Sequence, residues 1–546
     1  MTQTRTFLLF AWLMVAALLW MEWNKERQPQ ADAAPATTQA AVPSASGAVP
    51  TATVPGSAPS PMASAAPAAA APSVQLKNDV LALQLDGRSI TGAQLLKYPQ
   101  TRAAGSPPVV LFDADPSRYF VARSGWVAAN GGEVALQAEA GAHDAVLAAG
   151  AAEVSQRFIA TTAEGLQLRR TYTLARGSYA LKVRDELVNA GAAPWSGQVD
   201  RQLLRNPPVA KRGMTNPEAF SLSGAAWWSP EDKYKKRKYT NFVDDGPLDQ
   251  QVTGGWIALS QHYFLTAWVP PKNQPELYSL GVQGAIHSIA ARGEKINLAP
   301  GQRYVSDAIL WVGPKLAEQL EPTAPGLERA MDYGYFTVLS QPIHWLLTKL
   351  HKITRNWGWA IVLLVVLIKS LLYPLSAAQY KSMAKMRRFQ PRIEQLKERY
   401  GDDKQKFQMA MLELYKKEKI NPAGGCLPIL IQMPVFLALY YVLLEAVELR
   451  QAPWIMGWVN DLTARDPFFI LPVLNAGIMF LTQKMTPMVG MDPMQKKMMQ
   501  MMPLVMGVMF AFFPAGLVLY WVTNGALGML QQWWNTKRYA DAPAKA

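Results

Sequence analysis

Among the residues able to do chemistry, one is out of place. Lys369 sits inside the run WGWAIVLLVVLIKSLLYPLS (357–376), which is long enough to cross a bilayer. A spanning helix needs about 20 mostly apolar residues. On an insertion scale a central Lys costs such a helix roughly 2.5–3.5 kcal/mol, and each Leu, Ile or Val returns roughly 0.3–0.6. The eight aliphatic residues 361–368 offset that cost with little to spare. At 1.5 Å per residue Lys369 lies roughly 18 Å along the helix from Trp357, past the middle of a membrane. Two readings stand. Its stem snorkels to the nearer headgroups, or its ammonium occupies a hydrated site.

The other polar residues within apolar runs are Ser370, Gln432, Asn475, Thr482, Gln483, Thr523 and Asn524. In lipid such groups turn inward or face water, although one polar residue per helix is normally interhelical glue. Glu445 and Glu448 fall at the outer end of their run, well beyond Gln432, and are poor partners for Lys369. An unpaired ammonium implies a hydrated cavity that attracts acidic or polar peptide. No enzyme, metal or cofactor chemistry is expected. The five histidines (His143, His262, His287, His344, His351) are scattered without HExxH spacing. The single Cys426 excludes an intramolecular disulfide framework and a cysteine metal cluster.

These residues are carried by a chain of 546 residues, 50% hydrophobic, 17% charged and +14 in formal net charge. With several long apolar runs, that balance describes a membrane protein with basic surfaces; a nucleic-acid binder calls for a soluble basic module. The length predicts more than one domain. Residues 1–27 read as a retained signal anchor and first crossing. Arg5 precedes the apolar run 7–21, and Trp20 and Trp23 close it. No small-x-small cleavage site follows directly. Residues 28–72, almost wholly Ala, Pro, Ser, Thr, Gly and Val, cannot bury a core and read as a flexible linker.

From residue 73 to about 320 short alternating segments such as SVQLKNDVLALQLD and GLQLRRTYTLARGSYALKVRDELVN predict antiparallel strands in a β-sandwich. Within it WWSPEDKYKKRKY (227–239) reads as an exposed charged loop. Residues 321–356 read as a connection ending in an amphipathic helix on the membrane surface. Residues 357–534 then hold five spans: 357–376, 427–444, 468–481, 498–513 and 517–530. Between the first two, residues 377–421 carry two apolar stripes either side of Gly401-Asp402-Asp403, the pattern of a helical hairpin. Lys and Arg outnumber Asp and Glu there about two to one, which puts the hairpin in the cytoplasm. With the anchor, six crossings place both ends inside, leave residues 535–546 as a short cytoplasmic tail, and put the β-domain outside. The Met-rich run MDPMQKKMMQMMPLVMGVMF fits either gap-filling in the bundle or a surface accepting many apolar partners.

Several stretches carry a resemblance: SQPIHWLLTKLH, YPLSAAQYKSMAKMRRFQP, NPAGGCLPILIQMPVFLALYYVL, DPFFILPVL, DPMQKKMMQMMP and FPAGLVLYWVTN. Over essentially its whole length the chain resembles the YidC/Oxa/Alb family of membrane protein insertases, in the bacterial form with a large periplasmic domain. The resemblance implies a polytopic α-helical membrane protein of the cell inner membrane, with six transmembrane helices, a five-helix insertase core and a periplasmic all-β super-sandwich. The core would surround a hydrophilic groove open to cytoplasm and lipid. Lys369 falls where the family carries a basic residue, usually Arg, keeping the charge but losing the bidentate fork. Val365, Gln432 and Trp521 fall at substrate-contact positions; Val365 and Trp521 stand in place of Thr and Tyr, which predicts a drier groove. The expected groove set is Lys369, Val365, Tyr373, Gln432, Asn475, Trp521 and Asn524. A substrate slide of Leu430, Pro434, Met506 and Phe510 is expected on the spans 427–444 and 498–513.

The implied function is insertion and folding of nascent membrane proteins, alone or with the Sec translocon, without nucleotide or covalent chemistry. Ribosome and signal-recognition-particle components are further partners expected at the cytoplasmic loops, beside the lipid bilayer itself. A secondary transporter is the alternative and predicts paired ionisable groups at mid-membrane and repeat symmetry. A scaffold whose β-domain does the work predicts that deleting residues 73–315 abolishes function; tolerance of that deletion is expected instead.

Overall fold

The structure, a computed structural model, describes residues 73–540 except 141–142, 210–220, 401–402, 419–426 and 487–492. The expected N-terminal anchor and the linker 28–72 lie outside the described residues.

Strict alternation builds the first part of the chain. In the strand Ala180–Asn189 (ALKVRDELVN) the buried set is Leu181, Val183, Asp185, Leu187 and Asn189. Its neighbour Leu166–Ala175 buries Leu166, Leu168, Arg170, Tyr172 and Leu174. Period-two burial of this kind lines one face of each strand along a core. Among the described residues, twenty strands between Val74 and Pro314 form an eleven-stranded and a nine-stranded sheet, antiparallel apart from the pairing of Leu76 and Lys77 with Ala145 and Val146. Trp126, Trp256, Trp268 and Trp311 fill the space between them.

Each buried set contains one charge, and the register puts the two face to face: Asp185 pairs with Arg170 across the ladder. Arg170 Nε donates to Asp185 Oδ1 at 2.6 Å and Nη2 to Oδ2 at 2.7 Å. From the opposite sheet Trp126 Nε1 donates to Asp185 Oδ2 at 2.8 Å, and Ser124 O accepts from Arg170 Nη1 at 2.5 Å. A second buried pair, Arg201 with Glu276, also reaches across, from Arg201 Nη2 to Ser306 Oγ at 3.0 Å. A one-residue slip would send every one of these groups to the wrong face.

The segment expected to be a charged loop is a β-hairpin. Gly224–Ser229 pairs with Lys233–Lys238, which is the edge strand of the nine-stranded sheet. Trp227 buries against the core while the cations occupy the edge, where lysines guard unpaired backbone groups. The sequence pattern hid this because the strand's alternation is masked by charge on both faces.

After the sandwich come the helices α1 (Ala317–Thr323), α2 (Thr337–Thr354), α3 (Trp357–Leu371), α4 (Tyr373–Arg388), α5 (Gln390–Tyr400), α6 (Lys404–Lys417), α7 (Leu427–Glu445), α8 (Ile470–Met485), α9 (Pro493–Phe510) and α10 (Ala515–Ala540). The expected surface helix is α2. It buries Leu347 and Leu350 against the protein and leaves Val338, Trp345 and Ile353 exposed.

The run 357–376 is not one straight helix. It breaks at Leu372, and α3 meets the first part of α4, Tyr373–Lys381, at 61°. Pro374 accounts for the break: it lacks an N–H and disfavours helical geometry in the residue before it. No single described helix is long and apolar enough to cross a membrane; this bent pair reaches that length and apolarity together.

The polar stretch after the break contributes α4 to the helical bundle, and the described residues within 389–420 fall in a different compact unit from that bundle. Its described part is the hairpin of α5 and α6, with Asp403 capping α6 by accepting from Gln405 N and Lys406 N, both at 3.1 Å. Arg392 and Glu418 tie its two ends at 2.9 Å.

Replacing Asp185 with Ala leaves Arg170 buried without a counter-charge and is expected to destabilise the sandwich by about 3–5 kcal/mol. The double change Arg170→Met with Asp185→Leu should recover most of that loss. Urea titration of the full chain in detergent, read by proteolysis of the β-domain, measures both.

Candidate functional site

Lys369 is delivered by a short, well-started helix. Asn356 caps α3, its Oδ1 accepting from Trp359 N at 3.1 Å. Lys369 then falls in the last turn, where a cation is favoured by the helix dipole. The residue is only 9% exposed. Val365, one turn earlier on the same face, is buried.

Opposite stands α10. Trp521, Asn524, Gly528, Gln531 and Asn535 recur at intervals of three and four and so share one face. A Cβ placed on Gly528 would lie 3.8 Å from Lys369 Nζ. Tyr380 of α4 donates its hydroxyl to Gly528 O at 3.0 Å, and Gln531 Nε2 donates to Lys369 O at 3.5 Å. Tyr373 donates to Asn535 Oδ1 at 3.4 Å, and Asn535 Nδ2 to Gln531 O at 2.7 Å. Higher on the same face Gln432 of α7 donates to Asn524 Oδ1 at 3.1 Å. Trp521 closes the row in an aromatic cluster, its ring 4.8 Å from Phe436 and 5.2 Å from Phe510.

Among the described residues no acceptor or carboxylate lies within bonding range of Lys369 Nζ, and no group of three His, Cys, Asp or Glu side chains is placed to hold a metal ion. The site can therefore offer a cation, a row of amides and hydroxyls, and an aromatic end wall.

Of the expected groove residues, Lys369, Val365 and Tyr373 lie on the α3–α4 side, Asn524 and Trp521 on α10, and Gln432 reaches Asn524 from α7. Asn475 is buried on α8, but its recorded contact is to Met479 Sδ of its own helix at 3.7 Å. Of the expected slide residues, Pro434 and Met506 are half-buried. Phe510 is buried against Trp521 and Phe513 and does not face outward; the exposed apolar side chains of α9 include Leu504, Val505 and Val508. The side chain of Leu430 lies outside the described residues. Gly528, Gln531 and Asn535 were not singled out from the sequence, although their heptad-like spacing from Trp521 and Asn524 was legible there.

The family profile described as 60Kd inner membrane protein matches residues 349–542, and that of the YidC periplasmic domain matches residues 73–346. A protein of Stenotrophomonas maltophilia (strain R551-3) named membrane protein insertase YidC is 54% identical over 563 residues, covering 100% of this chain and 98% of its own length. The chain belongs to the YidC family of membrane protein insertases. A relative of the same name from Xanthomonas euvesicatoria pv. vesicatoria (strain 85-10) is 52% identical over 569 residues, covering 100% of this chain and 99% of that protein. A crystal structure titled as an active YidC insertase with its first transmembrane domain resolved covers 85% of this chain and 94% of its own, at 19% identity and a TM-score of 0.37. Membership makes this an inner-membrane protein with a β-rich periplasmic domain.

Gly528→Leu should drive a branched side chain into the space beside Lys369 and lower insertion of a radiolabelled membrane protein several-fold. Gly528→Ala, whose Cβ stands at ordinary contact distance from Nζ, should stay close to wild type in the same assay.

Proposed function

We propose that the polar row between α3–α4 and α10 is where a nascent membrane protein enters the bilayer. The hairpin of α5 and α6 faces the cytoplasm and meets the arriving chain. A short polar segment of the client then passes along Lys369, Asn524 and Gln432, which lower its cost of leaving water. Its apolar helix moves out along α7 and α9 into lipid, driven by roughly 25 cal/mol for each Å² of apolar surface buried. No nucleotide and no covalent intermediate takes part. Six crossings with both ends cytoplasmic, folding assistance to clients, and cooperation with the Sec translocon, ribosome and signal-recognition-particle components belong to the same proposal.

The observation that carries it is Lys369: a buried cation with no counter-charge among the described residues, set against a glycine on a face lined with amides. A charge so placed costs energy unless something polar visits it. A secondary transporter would draw support from a second ionisable group beside Lys369, and none is recorded among the described residues.

Lys369→Glu should cut insertion of a client with an acidic periplasmic segment several-fold, and Lys369→Arg should retain it. Photoreactive probes at positions 365, 432 and 521 should cross-link a stalled nascent membrane protein, while a probe at the exposed position 345 should not. Normal insertion by Lys369→Glu would remove the charge from the mechanism.

A further inference from the structure

Lys315 directly follows the strand Arg303–Pro314 of the sandwich, and Glu445 is the last residue of α7. They meet in the seam between sandwich and helices, Nζ to Oε2 at 3.3 Å, with side chains 0% and 2% exposed. Ser221 donates to the other carboxylate oxygen of Glu445. Around this pair the seam is stitched by polar contacts: His262 Nε2 with Leu444 O at 2.9 Å, Arg450 Nη2 to Gln100 O at 3.0 Å, and Gln451 Nε2 to Pro99 O at 3.1 Å.

Stability alone does not call for such a pair. Desolvating two charges commonly costs more than packing two apolar side chains of the same size. What an ion pair adds is discrimination, because a shifted seam leaves both charges sealed from water without partners. We propose that Lys315 and Glu445 form a positioning lock that fixes the outer half of α7 to the periplasmic sandwich in a single geometry.

The lock divides α7. Pro434 removes one backbone hydrogen bond from the helix. Outward of it, Ser340 Oγ of α2 donates to Ala438 O at 3.1 Å and the lock holds the end. Inward of it, Gln432 holds Asn524. Displacement of α7 by an entering client is then confined to the part inward of Pro434; only this last step rests on the proposed function.

A point change and a domain deletion are not equivalent lesions here. Removing residues 73–315 takes away Lys315 but also the wall that buries Glu445, so the carboxylate returns to water. Lys315→Met leaves the wall in place and the charge trapped.

The test compares Lys315→Met, Glu445→Leu and the double change in the full chain, reconstituted in nanodiscs. Hydrogen exchange is followed at 316–336, at 435–450 and in the sandwich core strands Leu166–Ala175 and Ala180–Asn189, alongside client insertion. Each single change should speed exchange several-fold at 316–336 and 435–450, leave the core strands protected, and slow insertion. The double neutral change should restore slow exchange and insertion together. Unchanged seam exchange in the single variants would overturn the lock, as would acceleration that spreads into the core strands, which marks a general loss of stability. Seam exchange that rises while insertion stays normal would overturn the positioning of α7 and leave the role of Lys369 untouched. Normal insertion by Lys369→Glu beside a loosened seam would instead remove the insertion reading and keep the lock.

Discussion

Two helices can approach only as far as their side chains allow, and beside the polar row α10 carries none at Gly525 and Gly528. With hydrogen alone at position 528, the last turn of α3 settles so near that a methyl group there would touch the lysine ammonium. At Gly525 a Cβ would stand 3.0 Å from Ile478 of α8, tighter than ordinary contact. Small residues that let backbones close up are the usual means of packing helices where water gives no hydrophobic push. The glycine-bearing helix α10 packs against α3, α4, α7 and α8. Its amides meet the side chains of Tyr373 of α4 and Gln432 of α7 and the backbone oxygen of Lys369 of α3.

The molecule treats buried charge in contrasting ways, and the contrast separates scaffold from site. Arg170 and Asp185 satisfy each other through two hydrogen bonds and take further partners from the opposite sheet. Burial opposes charge on Arg170, yet the neighbouring carboxylate outweighs it and holds the guanidinium's pKa above its ordinary value. Lys315 and Glu445 likewise form a buried ion pair, this one between the sandwich and a helix end. Lys369 differs, with amides and a glycine around it and no carboxylate among the described residues. A closed pair specifies geometry; an open charge is available to something that arrives.

Much of the site was readable because its chemistry is so improbable in an apolar run. A lysine among aliphatics, Gln432 in another apolar run and Asn524 in a third are conspicuous one at a time, and helical spacing carries Lys369 back to Val365 and on to Tyr373. Less was readable where one signal hid another. Net charge concealed the edge strand Lys233–Lys238, and Pro374 broke a run whose composition alone suggested continuity. Phe510 looked like a lipid-facing residue because hydrophobicity does not say which apolar side chain turns inward; its contact with Trp521 decides that.

Glu445 gives the clearest division. Its place at the end of an apolar run excluded it as a partner for Lys369, since a helix rising 1.5 Å per residue separates them along the membrane normal. The same sequence held no sign that it would meet Lys315, because a pairing across 130 residues depends on how two sheets and a helix end come together. The sequence by itself determined which residues lie in strands or helices, which faces are apolar and where a charge would be costly, all consequences of local periodicity and solvation. Only the tertiary structure decided which of those costs are met by a partner and which are left open, because partners are chosen by long-range packing.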